Sequence, residues 1–483
     1  MKRTNTDVLK PMNSKPHVVV LGAGPAGLGA AYKLAQRGTF QITVLEKNKA
    51  VGGNAGSFQL AGHHVDYGSH RLHPSCDAEV MADIRSLLKD DLLDRPRHGR
   101  IRLRGRWIHF PLKPFDLALR LPPGFALGVL RDMAGKSVRG SASNGTFSSV
   151  LEAGLGKTIC REFYFPYARK IWGLDPAALS AAQAQRRVSA NSTGKMIRKA
   201  LAMLPGQQKN GKGRFFYPRG GFGQISEAYY DAALQSGAAV VFNAEVESLE
   251  KTEAAWTVLY RKDGQSCAIR ADQVYSTVPV TILMRYLKPA PPADLLQAAT
   301  QIDYRAMILV YLVLKTGQFS EYDAHYFPGE NIPISRMSEP KNYGATAEPH
   351  GTTVLCAELP CSPADPVWSF SDHELGQMVL KSLETAGIRP QAPLLGVETR
   401  KLRFAYPIYN KGYEPFFDRV DQWISSLDRL TSFGRQGLFA HDNTHHALFM
   451  AYSAARCLDN QASFDLNRWQ NFRRIFATHV VED

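Results

Sequence analysis

The amino-terminal part of the chain contains Val18-Val19-Val20-Leu21, then Gly22-Ala23-Gly24-Pro25-Ala26-Gly27 and, after one helical pattern, Val44-Leu45-Glu46. The first run is apolar and β-branched, the second is a G-x-G-x-x-G turn, and the third closes a second strand with an acidic residue. A strand, a glycine turn, a helix and a strand in this order are typical of a Rossmann-like βαβ unit. The sequence therefore predicts that this segment binds a dinucleotide.

The residues of the turn have separate physical tasks. Gly22 permits a tight turn, Gly24 lets the backbone approach a pyrophosphate, and Gly27 lets the helix pack closely on the strand. Pro25 and Ala26 begin the helix, whose free N–H groups and partial positive charge attract phosphate. We therefore expect all five residues to contact or shape the cofactor site.

Glu46 follows Gly27 by nineteen residues, where an acidic side chain accepts hydrogen bonds from an adenosine ribose. Its negative charge disfavours a 2′-phosphate, so FAD or NAD is expected rather than NADP. Lys47 comes next, and Gly52-Gly53-Asn54 places two glycines where the chain passes close to the nucleotide. This glycine pair resembles the extension found in flavoproteins related to amine oxidases, protoporphyrinogen oxidases, phytoene desaturases and UDP-galactopyranose mutases.

The resemblance extends over nearly the whole chain. Further blocks occur in the order found in UDP-galactopyranose mutases and in bacterial flavoproteins similar to protoporphyrinogen oxidase: Tyr67-Gly68-Ser69-His70-Arg71-Leu72-His73, Phe110-Pro111-Leu112, Tyr167-Ala168-Arg169-Lys170-Ile171-Trp172-Gly173, Pro218-Arg219-Gly220-Gly221 and Phe433-Gly434-Arg435. The resemblance implies a non-covalently bound FAD. By position it implies these cofactor-binding residues: Lys47, Gly53, Asn54, His70, His73, Val246, Gly434, Arg435 and Asn443.

Two of these positions also raise the question of a metal. By resemblance, His70 and His73 lie against the isoalloxazine ring, where a histidine or its backbone can tune the redox properties of a flavin. The same two histidines, spaced i, i+3, could instead bind a metal, or they could be core residues whose ring nitrogens are hydrogen-bonded within the protein. Because no carboxylate motif lies near them in sequence, we expect no metal site.

The same resemblance implies substrate contacts and also shows departures. Trp172, Arg336 and Tyr406 match positions that line the substrate cleft, where an aromatic ring would orient the ligand and an arginine would pair with phosphate or carboxylate. A buried core tryptophan and a surface ion pair are the alternatives. Two diphosphate contacts of the mutases have no counterpart in this sequence. One is missing after Arg187, and the other is missing in Leu438-Phe439-Ala440-His441-Asp442-Asn443. These departures argue against strict mutase chemistry.

We therefore expect an FAD-dependent oxidoreductase that transfers a hydride from a small organic substrate, anionic or sugar-linked, to flavin N5. His441 or His445 could serve as the base if either reaches the cleft. The alternative is an isomerase that resembles the sugar mutases and moves no net electrons. A third alternative is a non-catalytic flavoprotein or a peripheral membrane partner.

The order of the motifs predicts an α/β fold in which a Rossmann-like FAD-binding domain and a mixed α/β substrate domain are interleaved. The FAD-binding domain is expected at 14–90, 214–300 and 400–470, and the substrate domain at 91–213 and 301–399. A strand at Ala306–Leu314 begins the sheet of the substrate domain, which is expected to end before Ala405. The segment from Phe115 to Met133 is predicted as a pair of buried helices, with a membrane-surface contact as the alternative.

The composition restricts the partners. The chain has 483 residues and a net charge of +14, but its basic residues are dispersed and form no nucleic-acid module. An anionic small molecule or an anionic membrane surface fits this charge better than nucleic acid, with an ordinary solvated face as the alternative. The densest basic cluster contains Arg95, Arg97, Arg100, Arg102, Arg104 and Arg106.

The remaining features concern location and the thiols. No apolar stretch approaches eighteen residues, and no apolar signal core follows Met1-Lys2-Arg3. We therefore expect a cytoplasmic protein, with a peripheral contact to the inner face of the membrane left open. The six cysteines lack C-x-x-C spacing and are expected to be reduced. The oligomeric state is left open by the sequence.

Overall fold

The computed structural model describes residues 15–111, 116, 119–136, 144–187, 213–344, 346 and 348–481. Its strands are β1 His17–Leu21, β2 Gln41–Leu45, β3 Ser57–Leu60, β4 His63–Asp66, β5 Leu92–Pro96, β6 Gly99–Leu103, β7 Arg106–Phe110, β8 Arg214–Pro218, β9 Ala239–Val241, β10 Ala244–Lys251, β11 Trp256–Lys262, β12 Gln265–Ala271, β13 Gln273–Ser276, β14 Leu287–Lys288, β15 Asp303–Leu314, β16 Ala324–Tyr326, β17 Arg336–Ser338, β18 Thr353–Cys361, β19 Leu394–Ile408 and β20 Leu430–Ser432.

The α-helices are Pro25–Ala35, Ala78–Leu88, Pro123–Lys136, Phe147–Leu155, Lys157–Ile159, Phe165–Trp172, Ala181–Arg187, Gln224–Gln235, Val280–Tyr286, Ala293–Ala299, Pro340–Gly344, Asp372–Thr385, Glu414–Ser425, Gly434–Gly437, Thr444–Cys457 and Leu466–Phe476. Short 3-10 segments cover Gly53–Ala55, Lys89–Asp91, Pro176–Ala178 and Pro366–Ser369, and a π-helical turn covers Cys160–Tyr164.

A parallel sheet with the strand order β20-β13-β1-β2-β9 forms the first layer. Its strands come from the beginning, the middle and the end of the sequence. Strands β1 and β2 are buried almost throughout, as expected for a parallel sheet covered on both faces. The α/β fold with an interleaved Rossmann-like domain is therefore confirmed.

The helix Pro25–Ala35 covers one face of this sheet. Leu28, Ala31 and Leu34 are fully buried on it, as their spacing predicts. The helix packs against Gln224–Gln235 and Thr444–Cys457. Distant segments of the chain thus enclose the core under the glycine turn.

A mixed sheet with the strand order β19-β15-β18-β17-β16-β6-β7 forms the second large unit. Strand β15 pairs with β19 in antiparallel register, with Asp303 opposite Ile408. The prediction that this sheet ends before Ala405 is therefore wrong, because β19 continues to Ile408. Position 400, predicted as a domain boundary, lies inside β19, and the domain ranges as a whole stay a prediction.

The buried carboxylate of Asp66 connects several of these elements. It accepts hydrogen bonds from Ser57 Oγ at 2.6 Å, from Tyr217 OH at 2.7 Å and from the N–H of Phe222 at 2.9 Å. The Tyr311 hydroxyl of β15 donates to the Asp66 carbonyl at 2.6 Å. Asp66 therefore joins the hairpin β3–β4, strand β8 and the seven-stranded sheet.

The segment from Phe115 to Met133 is only partly buried. Within its described part, Leu119 is 75% exposed and Leu127 is 69% exposed, whereas Phe125 and Val129 pack against a buried cluster. The burial prediction is therefore wrong for Leu119 and Leu127. Residues 112–115, 117 and 118 lie outside the described part of the chain.

The arginines of the predicted basic cluster have partners within the protein. The guanidinium of Arg100 lies 4.2 Å from the ring centroid of Trp107 and 4.5 Å from that of Tyr322. Arg102 donates to the carbonyl of Thr385 at 3.0 Å, and Arg104 pairs with Glu162 at 3.2 Å. These contacts favour a role in packing over one in binding an external polyanion.

Two further observations concern the membrane and the thiols. Among the described helices, none combines the length and the apolar character needed to cross a bilayer. All six cysteines are free thiols.

The environment of Asp66 predicts a pH-dependent stability. Burial raises the pKa of Asp66 from 3.8 to about 6, against the opposing effect of its hydrogen bonds. The folded protein therefore holds this proton more tightly than the unfolded chain does. The resulting stabilisation is fully present below the unfolded pKa and is lost as the pH rises through about 6. As the pH rises from about 4 to about 7, the unmodified protein should lose about 3 kcal/mol of unfolding free energy that Asp66→Asn keeps.

Denaturant unfolding at several pH values measures this difference. The matched control is Asp94→Asn, which removes an exposed carboxylate paired with Arg214 at 2.8 Å. If the unfolding free energies of Asp66→Asn and the unmodified protein differ by the same amount at every pH, the raised pKa of Asp66 is contradicted.

Candidate functional site

The glycine turn leaves an opening at its centre. Gly22 has φ +99°, and its N–H donates to the Leu45 carbonyl at 2.8 Å. A Cβ on Gly27 would lie 1.9 Å from the Gly22 carbonyl oxygen, whereas a Cβ on Gly24 would have no protein atom within 4 Å. The turn is thus closed against the helix at Gly27 and open at Gly24, where the helix Pro25–Ala35 begins.

The second glycine pair packs on the same turn. Gly52 has φ +105° and donates its N–H to the Ala23 carbonyl at 2.9 Å. A Cβ on Gly53 would lie 3.5 Å from the Cα of Gly24. Gly53 therefore packs beside the opening at Gly24. Lys47 is exposed.

The Glu46 carboxylate lies against the same glycine turn and is 5% exposed. Its Oε2 accepts the N–H of Ala23 at 2.8 Å. Its Oε1 accepts the backbone N–H of Asn48 at 2.9 Å and the side-chain amide of Asn48 at 2.8 Å. A carboxylate accepts about four hydrogen bonds, so one more is available for a ribose hydroxyl. Asn48 is not among the site residues predicted from the sequence, although its position two residues after the acid was an available signal.

Val246 lies on the strand that begins beside Glu46. The N–H of Ala244 donates to the Glu46 carbonyl at 2.9 Å. Two residues further along β10, Val246 is 8% exposed and belongs to the same buried cluster as Leu45. The structure thus places Val246 in the core near the end of β2.

The carboxyl-terminal segment returns to the glycine turn. A Cβ on Gly434, which has φ +81°, would lie 2.8 Å from the Cβ of Ala26. Arg435 donates to the Ala405 carbonyl at 2.8 Å, and Asn54 donates to the Phe404 carbonyl at 2.9 Å. Predicted cofactor residues therefore hold the end of β19 beside the opening.

The loop that carries His70 and His73 is held from several sides. His70 contacts the Gly68 carbonyl through Nδ1 at 3.2 Å, and its ring stacks on Phe222 at 5.2 Å between centroids. His73 hydrogen-bonds Ser75 at 2.7 Å. Both imidazoles therefore have partners within the protein.

Arg336 pairs with a buried carboxylate under the same loop. Its guanidinium donates to both oxygens of Glu358 at 3.0 Å and to the Ser69 carbonyl at 3.2 Å. The N–H of Ser69 in turn donates to Glu358 at 2.8 Å. The Glu358 carboxylate offsets the charge of Arg336, so this pair braces the loop, and a role in binding substrate phosphate stays a prediction.

Trp172 and Tyr406, the two other residues predicted to line the substrate cleft, lie together. Trp172 is 4% exposed and meets the half-buried Tyr406 edge to face at 5.7 Å between centroids. The guanidinium of Arg187 lies 5.3 Å from the Trp172 ring and 4.9 Å from the Tyr406 ring. Arg435 lies 5.0 Å from the Tyr406 ring. We call these four residues the aromatic–arginine cluster. The sequence after Arg187, at 188–212, lies outside the described residues.

His441 lies behind this cluster and is 1% exposed. Its ring meets Trp172 edge to face at 5.2 Å, and its Nε2 contacts the side-chain amide of Gln183 at 3.0 Å. Burial, together with the nearby Arg187 and Arg435, holds the pKa of His441 well below its usual range. The imidazole is therefore neutral at ordinary pH, in contact with Gln183 rather than with an open cleft.

His445 lies in the first turn of the helix Thr444–Cys457 and is 3% exposed. Within the described part of the chain, neither of its ring nitrogens has a hydrogen-bond partner. Burial lowers the pKa of His445 to about 3, and the nearby His446 acts in the same direction. A buried imidazole with two unpartnered nitrogens at a helix N-terminus is suited to a polar ligand. Asn443, the N-cap of this helix, donates its N–H to His446 Nδ1 at 3.2 Å.

The comparison with known families agrees with this geometry. The family model "Flavin containing amine oxidoreductase" matches residues 25–416. The chain belongs to the flavin-containing amine oxidoreductase family.

The curated relatives match over short segments only. A probable polyamine oxidase 4 from Arabidopsis thaliana is 37% identical over 75 residues, which is 16% of this chain and 15% of the relative. The L-amino acid oxidase Cdc18 from Crotalus durissus cumanensis is 46% identical over 56 residues, or 12% of this chain and 11% of the relative. The chain thus matches less than one sixth of the length of these relatives.

Solved structures share the fold over nearly the whole chain. A reduced UDP-galactopyranose mutase has a TM-score of 0.80 at 20% identity and covers 97% of this chain and 100% of its own. A putative protoporphyrinogen oxidase from Exiguobacterium sp. 255-15 has a TM-score of 0.69 at 16% identity, with 92% and 99% covered. A putrescine oxidase bound to putrescine has a TM-score of 0.64 at 17% identity, with 92% and 98% covered.

The cofactor is FAD, as the family membership shows, and the residues of this chain fit it. The opening at Gly24 would take the pyrophosphate, and the remaining acceptor capacity of Glu46 would take the ribose. The unpartnered nitrogens of His445, at the start of the helix Thr444–Cys457, would face polar atoms of the ring. These individual contacts stay predictions.

Substitutions at Gly24 and Gly27 should distinguish an effect on cofactor binding from an effect on folding. Gly24→Ala adds a methyl group where only the cofactor would meet it, so the apoprotein should melt unchanged while bound FAD falls at least tenfold. Gly27→Ala places a Cβ 1.9 Å from a carbonyl oxygen, so the protein itself should lose about 3 kcal/mol or more of stability. Apoprotein melting and the ratio of flavin to protein absorbance measure both effects.

The control is Gly317→Ala, since a Cβ on Gly317 would also meet no atom within 4 Å. Full flavin occupancy in Gly24→Ala would contradict the placement of the cofactor.

Proposed function

We propose that this protein oxidises a small organic anion by transferring a hydride from a substrate carbon to bound FAD. The observation that carries the proposal is the aromatic–arginine cluster, in which Arg187 and Arg435 lie 4.9 Å and 5.0 Å from the same Tyr406 ring. Two guanidinium groups on one aromatic side chain favour a ligand that combines negative charge with an unsaturated or ring-shaped body.

The position of the cluster supports this assignment. Tyr406 follows the backbone carbonyls of Phe404 and Ala405, which Asn54 and Arg435 hold beside the glycine turn. A substrate that pairs with Arg187 would therefore lie between the end of β19 and the helix Ala181–Arg187. Trp172, buried behind Tyr406, would fix the orientation of that ring.

The protein groups would then position the substrate and exclude water. FAD supplies the hydride acceptor when bound. Arg187 would hold the anionic group of the substrate, and Tyr406 would support its apolar part. His441 and His445 are both neutral because burial lowers their pKa values. A neutral imidazole of low pKa donates or accepts a hydrogen bond but takes up a proton poorly, so the geometry supports a polar contact better than a strong base.

Anaerobic titration of the purified flavoprotein tests the proposal. The probes are L-amino acids, putrescine, NADH, NADPH and UDP-galactopyranose. An anionic substrate should bleach the flavin absorbance, and air should restore it. In Arg187→Gln the concentration for half-maximal bleaching should rise at least tenfold, because the variant lacks the charge that pairs with the substrate. The limiting rate should change less.

The matched control is Arg161→Gln, since the Arg161 side chain is 72% exposed and pairs only with its neighbour Glu162 among the described residues. Bleaching by putrescine that Arg187→Gln leaves unchanged would contradict the preference for an anion. Conversion of UDP-galactopyranose by the reduced protein alone, with no bleaching by any probe, would favour the isomerase instead.

A further inference from the structure

A buried glutamine joins two elements of the candidate site. Gln183 is 0% exposed and lies four residues before Arg187 on the helix Ala181–Arg187. Its Oε1 accepts the backbone N–H of Tyr409 at 3.2 Å, and the Tyr409 carbonyl accepts the N–H of Ser180 at 2.8 Å. Tyr409 directly follows β19. The helix that carries Arg187 is therefore held against the end of β19.

The hydrogen bonds of Gln183 decide which ring nitrogen of His441 carries the proton. The Tyr409 N–H is a donor, so the amide oxygen of Gln183 faces it, and the amide nitrogen lies 3.0 Å from Nε2 of His441. A proton on this Nε2 would place two donors in contact, although the amide oxygen also lies 3.2 Å from it. Nε2 therefore accepts a hydrogen bond, and the neutral imidazole carries its proton on Nδ1. Nδ1 has no hydrogen bond of good geometry within the described residues, and the Pro407 carbonyl is the nearby acceptor that favours its proton.

The oriented imidazole supports the rings of the aromatic–arginine cluster. It meets Trp172 edge to face at 5.2 Å between centroids, and Trp172 meets Tyr406 at 5.7 Å. It also meets the Tyr409 ring at 4.8 Å, and the Tyr409 hydroxyl donates to the Phe439 carbonyl at 2.8 Å. Edge-to-face contacts depend on the orientation of both rings, so a turn of the His441 ring would disturb the packing of Trp172 on Tyr406.

We propose that Gln183 is a positioning residue of the substrate site and acts through His441. It holds His441 as the Nδ1–H tautomer, and the oriented imidazole keeps the aromatic–arginine cluster in place. A binding residue keeps its geometry only when the side chains behind it are themselves held by hydrogen bonds and packing. The inference rests on the proposed function, in which Arg187 and Tyr406 hold an anionic substrate. A bond that only joins the helix to β19 is the alternative.

Nitrogen NMR of the flavoprotein labelled at histidine tests the tautomer without any substrate. The chemical shifts of Nδ1 and Nε2 show which nitrogen is protonated, and the His441 signals are assigned by their loss in His441→Leu. The unmodified protein should show the Nδ1–H form. In Gln183→Met the Nε2 signal should move, because methionine donates no hydrogen bond to it. A proton on Nε2 in the unmodified protein, or unchanged His441 signals in Gln183→Met, would overturn the inference.

Binding of benzoate distinguishes positioning from a purely structural bond. Benzoate is an aromatic carboxylate with no hydride to transfer, and calorimetry and the flavin absorbance measure its dissociation constant. Gln183→Met and His441→Leu should each weaken benzoate binding by about tenfold. The double variant should bind benzoate no more weakly than His441→Leu alone, since Gln183 acts through His441. Effects that add, an unchanged affinity in Gln183→Met, or no binding by the unmodified protein would overturn the inference.

The matched control is Gln224→Met, because both ends of the Gln224 amide are also hydrogen-bonded. Its Oε1 accepts the Gly220 N–H at 2.8 Å, and its Nε2 donates to Asp91 at 2.8 Å. In this variant the His441 signals and the benzoate affinity should equal those of the unmodified protein.

Flavin absorbance and the melting temperature verify that each variant is folded. If Gln183→Met does not fold, Gln183→Glu replaces it in the NMR measurement, because a carboxylate keeps the acceptor for the Tyr409 N–H. Nε2 of His441 should then gain a proton, and a retained Nδ1–H form would overturn the inference. The expected NMR and benzoate results, together with no bleaching of the flavin by any probe, would contradict the proposed oxidation alone.

Discussion

The close approach of the helix Pro25–Ala35 to the glycine turn is the constraint on which the cofactor site depends. A Cβ on Gly27 would lie 1.9 Å from the Gly22 carbonyl oxygen, so only glycine lets the helix begin where it does. This approach directs the first N–H groups of the helix at the opening beside Gly24. Glu46 borders the same opening because its backbone N–H donates to the carbonyl of Val241 in β9. Gly53 borders it because its backbone packs on the turn at Gly24.

Two buried carboxylates link the hairpin β3–β4 and the loop after it to the seven-stranded sheet. Asp66 joins the hairpin β3–β4 to β8 and, through its carbonyl, to β15. Glu358 on β18 holds both the backbone of Ser69 and the guanidinium of Arg336. The loop between Asp66 and His70 is therefore held to the seven-stranded sheet by hydrogen bonds at both of its ends.

The sequence predicted the parts of the site that depend on local spacing. The βαβ unit and the second glycine pair follow from neighbouring residues, and the structure has them. The sequence could not show that Arg336 pairs with Glu358, or that His479 meets Asp442, because these contacts join residues that lie far apart in the chain. The exposure of Leu127 was missed for a related reason, since an apolar pattern does not tell which face another element covers.

FAD is predicted to bind at the opening beside Gly24, which Gly53 and Glu46 border. Acid denaturation of the purified protein, followed by chromatography and mass measurement of the compound it releases, identifies the cofactor. One FAD per chain is expected, either as purified or after incubation of the apoprotein with FAD. Release of a nicotinamide dinucleotide alone, or failure to take up FAD, would contradict it.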